Sequence, residues 1–187
     1  MQIISGLAKG LNLEVVKGMD IRPTTARARK SLFDSLSQFE ELTVLDLFAG
    51  AGSLGFEAAS RGATKVTFVE KNKLHCNILK KNIDNFFKCS NHCEFRILNW
   101  DIEEFIASKC ENFDFIFSDP PYNDSLGHFK KILNSKIFLD SQNSKSNLIW
   151  EIPAKETNSY DFLDIGLWQN FTVRNFGGIK FLIIKQN

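Results

Sequence analysis

The chain has 187 residues and no apolar run of about 18 or more, the length a helix needs to cross a bilayer. A membrane span is therefore not expected. Charge of one sign is also lacking: 23 Lys and Arg against 22 Asp and Glu leave a net charge of +1. That balance does not announce a nucleic-acid binder, so any grip on a polyanion has to come from local patches. Met1-Gln2-Ile3-Ile4-Ser5-Gly6 does not order charged and apolar regions as a secretion signal does. The expectation is a cytoplasmic protein. Cysteine is sparse, with Cys76, Cys89, Cys93 and Cys110, and without a secretion signal these read as thiols rather than disulfides. His75-Cys76 and Cys89-x-x-His92-Cys93 invite a zinc reading. Cys76 falls in a helical pattern and Cys93 at the start of a strand, so no metal site is expected. No internal repeat is visible.

What the chain does have is enough apolar content, 43%, for one packed domain over residues 1–187. Its 18 Phe residues read as core filling. Residues 1–18 suggest a short hairpin with a glycine-containing turn from Gly6 to Gly10. Residues 1–24 form the expected N-terminal arm and 25–187 the core. Arg22-Pro23-Thr24-Thr25 is rigid and extended, ending in candidate N-caps. Ala28, Leu32, Leu36 and Phe39 then predict a helix over about 25–38.

From residue 43 strands and helices alternate. Strands are predicted at Thr43–Leu47, Lys65–Val69, Glu94–Leu98, Phe113–Phe117 and Leu148–Ile152. Helices are predicted at Leu54–Ser60, from Leu74 through Phe86, at Ile102–Ser108, and from Leu126 through Ile137. The end is a hairpin, Phe171–Asn175 and Ile179–Lys185, turned by Gly177-Gly178. Ser141–Ser146 reads as a surface loop. Apolar strands alternating with helices argue an α/β fold: a doubly wound, mostly parallel, Rossmann-like sheet covered on both faces, with an antiparallel C-terminal hairpin.

Two segments carry chemistry. In Phe48-Ala49-Gly50-Ala51-Gly52-Ser53-Leu54-Gly55, the glycines fit G-x-G-x-x-G after a strand and at a helix start. Glu70, 20 residues after Gly50, ends the next strand, where an acid can accept both ribose hydroxyls. This much suits NAD, FAD or S-adenosylmethionine, and a ligand-free turn also remains open. Asp46, two residues before Phe48, would repel a pyrophosphate and suits a cationic amino-acid tail better. Asp101 can accept from an adenine amino group, with Trp100 and Ile102 flanking the ring. It can also be a plain N-cap for the helix that follows.

The second segment is Asp119-Pro120-Pro121-Tyr122 at the end of the fourth strand. An exocyclic base amine is a poor nucleophile because its lone pair is delocalised into the ring. The Asp119 carboxylate and the Pro120 carbonyl can each accept one of its N–H bonds, drawing the nitrogen toward tetrahedral geometry. Prolines hold those acceptors still, and Tyr122 can stack on the base. The bland alternative is a Pro-Pro turn that only caps a strand. Upstream, Arg22, Arg27, Arg29 and Lys30 form a basic cluster without an acid. Lys65, Lys71, Lys73, Lys80, Lys81 and Lys88 form a second, which reads equally well as a solvated face.

At these residues the sequence resembles the RsmD family, bacterial methyltransferases that modify a guanine N2 of 16S ribosomal RNA. The resemblance runs over nearly the whole chain. It is carried by Arg22-Pro23-Thr24-Thr25 through Phe33-Asp34, by Leu45 through Ala58, by Val69-Glu70 and by Asp119-Pro120-Pro121-Tyr122. It implies S-adenosyl-L-methionine as cofactor, held by Asp46, Phe48, Ala49, Gly50, Gly52, Glu70, Lys71, Asp101 and Ile102. It implies that Asp119, Pro120, Pro121 and Tyr122 handle the guanine. Arg22, Thr24, Arg27, Arg29 and Lys30 would meet RNA, and the arm would close over the site. The implied partner is 16S rRNA, within the small subunit or an assembly intermediate, and the implied state is a monomer. One departure stands out: Gly10-Leu11-Asn12-Leu13 replaces the family's Gly-Arg-Lys-Leu, which removes two cations from the arm and weakens its hold on RNA. The rival readings are another amino methyltransferase, acting on DNA adenine-N6 or protein glutamine, and a non-catalytic RNA-binding assembly factor.

Overall fold

The computed structural model describes residues 1–16, 25–36, 38–121, 124–142, 145–152, 170–176 and 178–185. Helix α1 (Ala26–Ser35) opens the core, with Thr25 Oγ1 accepting the Ala28 N–H at 3.2 Å. It stops three residues short of the expected end, where Leu36 turns extended. Then follow β1 (Thr43–Leu47), α2 (Ser53–Ser60), β2 (Lys65–Val69), α3 (Lys73–Phe87), β3 (Glu94–Leu98), α4 (Ile102–Ile106) and β4 (Phe115–Ser118). The last elements are α5 (Ser125–Asn134), α6 (Lys136–Asp140), β5 (Asn147–Ile152), β6 (Asn170–Phe176) and β7 (Ile179–Lys185).

The strands make one sheet in the order β3-β2-β1-β4-β5-β7-β6. The first five are parallel; β7 runs antiparallel between β5 and β6. The α/β expectation thus holds, with the terminal hairpin completing one edge. The chain winds outward from β1 to β3, then crosses back to lay β4 on the other side of β1. That reversal opens a crevice at the carboxyl ends of β1 and β4.

Successive strand residues face opposite ways, so each strand feeds two cores. Val44, Phe115 and Phe117 meet Leu32, Phe33, Phe56 and Phe86 on one face. Leu45, Leu47, Ile116 and Trp150 meet Phe105, Ile132 and Phe138 on the other. The phenylalanines fill these layers as expected: Phe33 stacks on Phe117 at 5.2 Å between centroids and Phe39 lies 4.9 Å from Phe115. Each fully buried ring contributes about 1.5–3 kcal/mol of apolar transfer.

Residues 1–16 pack against the body instead of projecting from it. Gln2 and Asn12 form a single antiparallel bridge, and Ile3, Ala8 and Leu13 are buried. The arm is pinned to the end of α2. The Leu7 N–H donates to Ser60 O (2.7 Å), the Ala8 N–H to Ser60 Oγ (2.9 Å), and the Ile4 N–H to Glu57 Oε2 (2.7 Å). The first of these bonds occupies a carbonyl that the helix end leaves open, and the other two use side chains of its last turn.

Two sequence expectations need correction. The helix expected through Ile137 breaks at Ser135, whose Oγ accepts the Phe138 N–H at 3.3 Å and donates to Ile106 O. The break turns Phe138 and Leu139 into the core and leaves Ile137 exposed, so Ile137 was not part of the buried stripe. Ser141–Ser146 is not simply surface either. Gln142 and Ser146 are buried; Gln142 Oε1 accepts the Phe113 N–H at 3.0 Å, which also delays the start of β4 to Phe115.

Candidate active site at the switch point

The glycine loop has to turn the chain from β1 into α2 within five residues. It does so through left-handed backbone at Phe48 (φ 58°), Gly50 (φ 55°) and Gly52 (φ 82°). Phe48 carries a side chain in a region that L-residues avoid. Its ring is held at 5.0 Å from the His128 ring and 6.3 Å from Trp150. At Gly50 an added Cβ would meet nothing nearer than Phe48 O at 4.0 Å, so one side of the loop is open to a ligand. At Gly55 a Cβ would lie 2.4 Å from Phe68, because α2 is pressed onto β2. The three glycines therefore serve the turn, the open approach and the close packing that a nucleotide-binding loop requires.

Glu70 directly follows β2 and is mostly buried. Its Oε2 accepts the Gly50 N–H at 2.8 Å and its Oε1 accepts the Asn72 N–H at 2.7 Å. Each oxygen keeps further lone-pair capacity, so the carboxylate can brace the loop and still receive a ribose hydroxyl. Asn99 supports this corner by donating from Nδ2 to Glu70 O and Lys71 O, both at 2.9 Å. His75 Nδ1 stands 3.6 Å from Glu70 Oε2. Sequence reasoning missed Asn99 and took His75 only as half of a zinc pair. Neither has a spacing that marks it, because their roles arise from tertiary contact.

Asp46 is 2% exposed, and its Oδ2 accepts the Gly55 N–H at 2.9 Å. Burial pushes its carboxyl up to about 8, against the Gly55 hydrogen bond and with the Glu70 charge adding. A cation brought to the loop would meet this acid and favour its ionised form. Asp101 is the N-cap of α4 in a capping box: its Oδ1 accepts the Glu103 N–H at 3.1 Å while Glu104 Oε2 accepts the Asp101 N–H at 2.9 Å. The other oxygen, Oδ2, faces Lys71 Nζ at 3.7 Å. Trp100 is exposed beside it. Ile102 is buried among the core side chains of its face, so little of its surface is left for a ring to lie on.

Asp119 follows Ser118, which pairs in register with Leu47 at the end of β1. The residue after Leu47 is Phe48, so the motif turn and the glycine loop leave the sheet side by side. Asp119 is half-buried, Pro120 buried and Pro121 exposed. Downstream, Trp150 Nε1 donates to Ser125 Oγ at 3.2 Å, tying the start of α5 to β5. His128 on α5, with a buried and unpartnered Nδ1, joins Phe48 at this mouth. No sequence pattern pointed to it. Tyr122, Arg22 and Thr24 lie outside the described residues.

The basic helix divides. Arg27 is exposed, and Lys30 is exposed and paired with Asp34. Arg29 is different, with 2% exposure and Nη2 donating to Gln2 O at 2.6 Å. The expectation that it meets RNA running over the surface is corrected, because the docked arm covers it. Among the described residues no His, Cys, Asp and Glu come together in a metal-holding group, and no helix is long and apolar enough to cross a membrane.

The profile of the protein family described as conserved hypothetical protein 95 matches residues 1–184. A stretch of 129 residues, 67% of this chain, is 40% identical to ribosomal RNA small subunit methyltransferase D of Haemophilus influenzae and spans 66% of that protein. The Escherichia coli K12 protein of the same name is 35% identical over 127 residues, which span 67% of this chain and 62% of its own length. The solved structure of Escherichia coli yhhF superposes with a TM-score of 0.81 at 26% identity, covering 100% of this chain and 98% of that one. The chain thus belongs to the RsmD family of ribosomal RNA small subunit methyltransferases.

Proposed function

We propose that the protein transfers a methyl group from S-adenosyl-L-methionine to the exocyclic N2 of a guanine in 16S rRNA. The observation that carries this reading is the Leu47–Ser118 register, which sets the open glycine loop beside the Asp119 turn. The family membership and the relatives' names support the same reaction.

The residues present fit the cofactor. Glu70 would take the ribose hydroxyls, Asp46 with Phe48, Ala49, Gly50 and Gly52 the amino-acid end, and Asp101 Oδ2 with Lys71 the adenine edge. Ile102 contributes chiefly the packing beneath that edge. When bound, the cofactor supplies an electrophilic methyl group on sulfonium. The protein's task is then to position the amine. Asp119 and the Pro120 carbonyl each accept one N–H, which aims the nitrogen lone pair, and Pro121 and Tyr122 hold the ring. After transfer the nitrogen must lose a proton, and the half-buried Asp119 carboxylate would accept it. Methyl transfer leaves net charge unchanged, so positioning supplies most of the acceleration.

Arg22, Thr24, Arg27 and Lys30 are the proposed outer contacts to RNA. The protein acts as a monomer in the cytoplasm, on rRNA in the small subunit or in an assembly intermediate. The test is mass spectrometry of digested 16S rRNA from cells with and without the protein. Loss of one N2-methylguanosine is expected on deletion. An unchanged rRNA with methyl label in DNA or protein would transfer the assignment to another amine, and no label anywhere would leave an assembly factor.

A further inference from the structure

Both ring nitrogens of His75 are buried, and neither has a hydrogen-bond partner. The side chain is 12% exposed. A neutral imidazole brings one donor and one acceptor, and burying both unpaired is costly. With neither nitrogen open to water, the ring has to be answered from within the fold. The acceptor beside it is Glu70 Oε2, 3.6 Å from Nδ1. That is a few tenths of an ångström beyond hydrogen-bond reach.

His75, Leu79 and Asn82 recur at helical spacing on one face of α3. That face lies on the glycine loop. Asn82 Nδ2 donates to Ala51 O at 3.1 Å. A Cβ on Gly52 would strike Leu79 Cδ2 at 2.7 Å. His75 is one turn nearer the start of α3 and faces Glu70 Oε2, the oxygen that accepts the Gly50 N–H at 2.8 Å. One helix face thus reaches three consecutive loop residues: Ala51, Gly52 and, through Glu70, Gly50.

The main chain at this corner is already tied. Glu70 O accepts from Asn99 Nδ2 at 2.9 Å and from Cys76 Sγ at 3.3 Å. Closing the gap between His75 and Glu70 therefore needs only side-chain rotation, with no shift of α3 or β2.

We propose that His75 is a positioning residue for the cofactor: its Nδ1–H closes onto Glu70 Oε2 as the ribose diol engages the carboxylate. Oε2 then faces the protein, through Gly50 and His75. Oε1, which holds Asn72, turns its remaining lone pair to the diol. The partner of Nδ1 sets the tautomer, so Nδ1 carries the proton and Nε2 is left bare. The imidazole does not touch the cofactor and acts through Glu70. This inference rests on the S-adenosylmethionine reading of the loop and is independent of which nucleoside is methylated.

The experiment is NMR of the full chain with isotopically labelled histidine, with and without S-adenosylhomocysteine, paired with calorimetric titration. In the liganded wild type the His75 proton is expected on Nδ1. His75→Gln, whose amide falls near the Nε2 position, should weaken S-adenosylhomocysteine binding by about tenfold. His75→Asn, whose amide nitrogen can stand at the Nδ1 position, should bring most of that loss back. For a dideoxy analogue lacking both ribose hydroxyls, the loss in His75→Gln should shrink to about twofold or less. A role in packing alone would weaken both ligands equally. A proton on Nε2 in the liganded wild type overturns the proposal, whether or not the variants fold. So does a folded His75→Gln that binds as the wild type does, or one that loses the same factor for both ligands. A wild type that binds no S-adenosylhomocysteine at all overturns the cofactor reading itself, and the role of His75 falls with it.

Discussion

Glu70 Oε2 accepts the Gly50 N–H at 2.8 Å, so the acid proposed to hold the cofactor's ribose is also the brace of the cofactor loop. Its second oxygen holds Asn72, the N-cap of α3. Loop, strand end and helix start therefore share one carboxylate.

Removing that carboxylate has two consequences. Glu70→Ala should weaken cofactor binding by about tenfold to a hundredfold, since hydrogen bonds to a charged group contribute about 1.5–3 kcal/mol. It should also destabilise the fold, because the Gly50 and Asn72 N–H groups lose their acceptors. Calorimetric titration and urea unfolding measure the two effects separately. A variant with normal cofactor affinity would remove Glu70 from the ribose site.

Asp119→Ala should behave in the opposite way. The base loses an acceptor and the proton its destination, so methyl transfer should fall below detection. Cofactor affinity should stay within about threefold, less than one charged hydrogen bond is worth. Collapse of cofactor binding would show that Asp119 belongs to the cofactor pocket.

Asp46 makes the site sensitive to pH. Its carboxyl has an ordinary value of 3.8 and is pushed up to about 8 in the fold, so the folded chain holds a proton there that the unfolded chain has released. The stability this contributes is complete below the unfolded value and is lost as pH rises through about 8. Wild-type stability should therefore decline relative to Asp46→Asn between pH 5 and 8. Binding of a cationic tail needs the ionised form, so cofactor affinity should rise with pH below the midpoint, by at most about tenfold per unit. Asp46→Asn should stay flat below pH 7. Parallel pH profiles for the two proteins would sever Asp46 from the ligand.

Much of this was legible in the sequence, and the reasons are physical. Glycines at 50, 52 and 55 announce a turn because few other residues tolerate that backbone or that packing distance. Asp119-Pro120-Pro121 stands out as rigid acceptors at a strand end, and the Leu47–Ser118 register sets it beside the glycine loop. Strands such as Lys65–Val69 matched because a short run rich in β-branched and aromatic residues, bounded by turn residues, has few alternatives. What the sequence hid came from contacts between distant segments. Arg29 looked like its neighbours Arg27 and Lys30, and only the docking of the arm over it decides that it is buried. Ile137 sat on the helical period, and only the Ser135 cap, bonded across to Ile106, takes it out of the core. Asn82 carried no signal at all.

Asn82 is fully buried and joins the arm to the glycine loop. Its Oδ1 accepts the Glu14 N–H at 2.8 Å, and its Nδ2 donates to Glu14 O and Ala51 O, each at 3.1 Å. Asn82→Ala should strand these groups and cost about 1–3 kcal/mol. Cofactor affinity should fall as well, because Ala51 lies in the loop. Urea unfolding and binding calorimetry check both, and an unchanged midpoint would mean the arm is held elsewhere.

The exposed cations of α1 offer a test of the outer RNA surface. Arg27→Ala combined with Lys30→Ala should flatten the dependence of log K for 16S rRNA on log salt by between one and two, as expected for two lost phosphate contacts. Lys30 counts for less because Asp34 pairs with it. An unaltered slope would exclude this helix face.

The central claim is that the Glu70-braced loop presents a methyl donor to an amine held by Asp119. It is tested most directly by incubating the purified chain with methyl-labelled S-adenosylmethionine and unmodified small-subunit rRNA, then identifying the labelled nucleoside. The expected result is label in N2-methylguanosine from the wild type and none from Asp119→Ala, although both bind the cofactor. Label in a different nucleoside, or equal labelling by the two proteins, would contradict it.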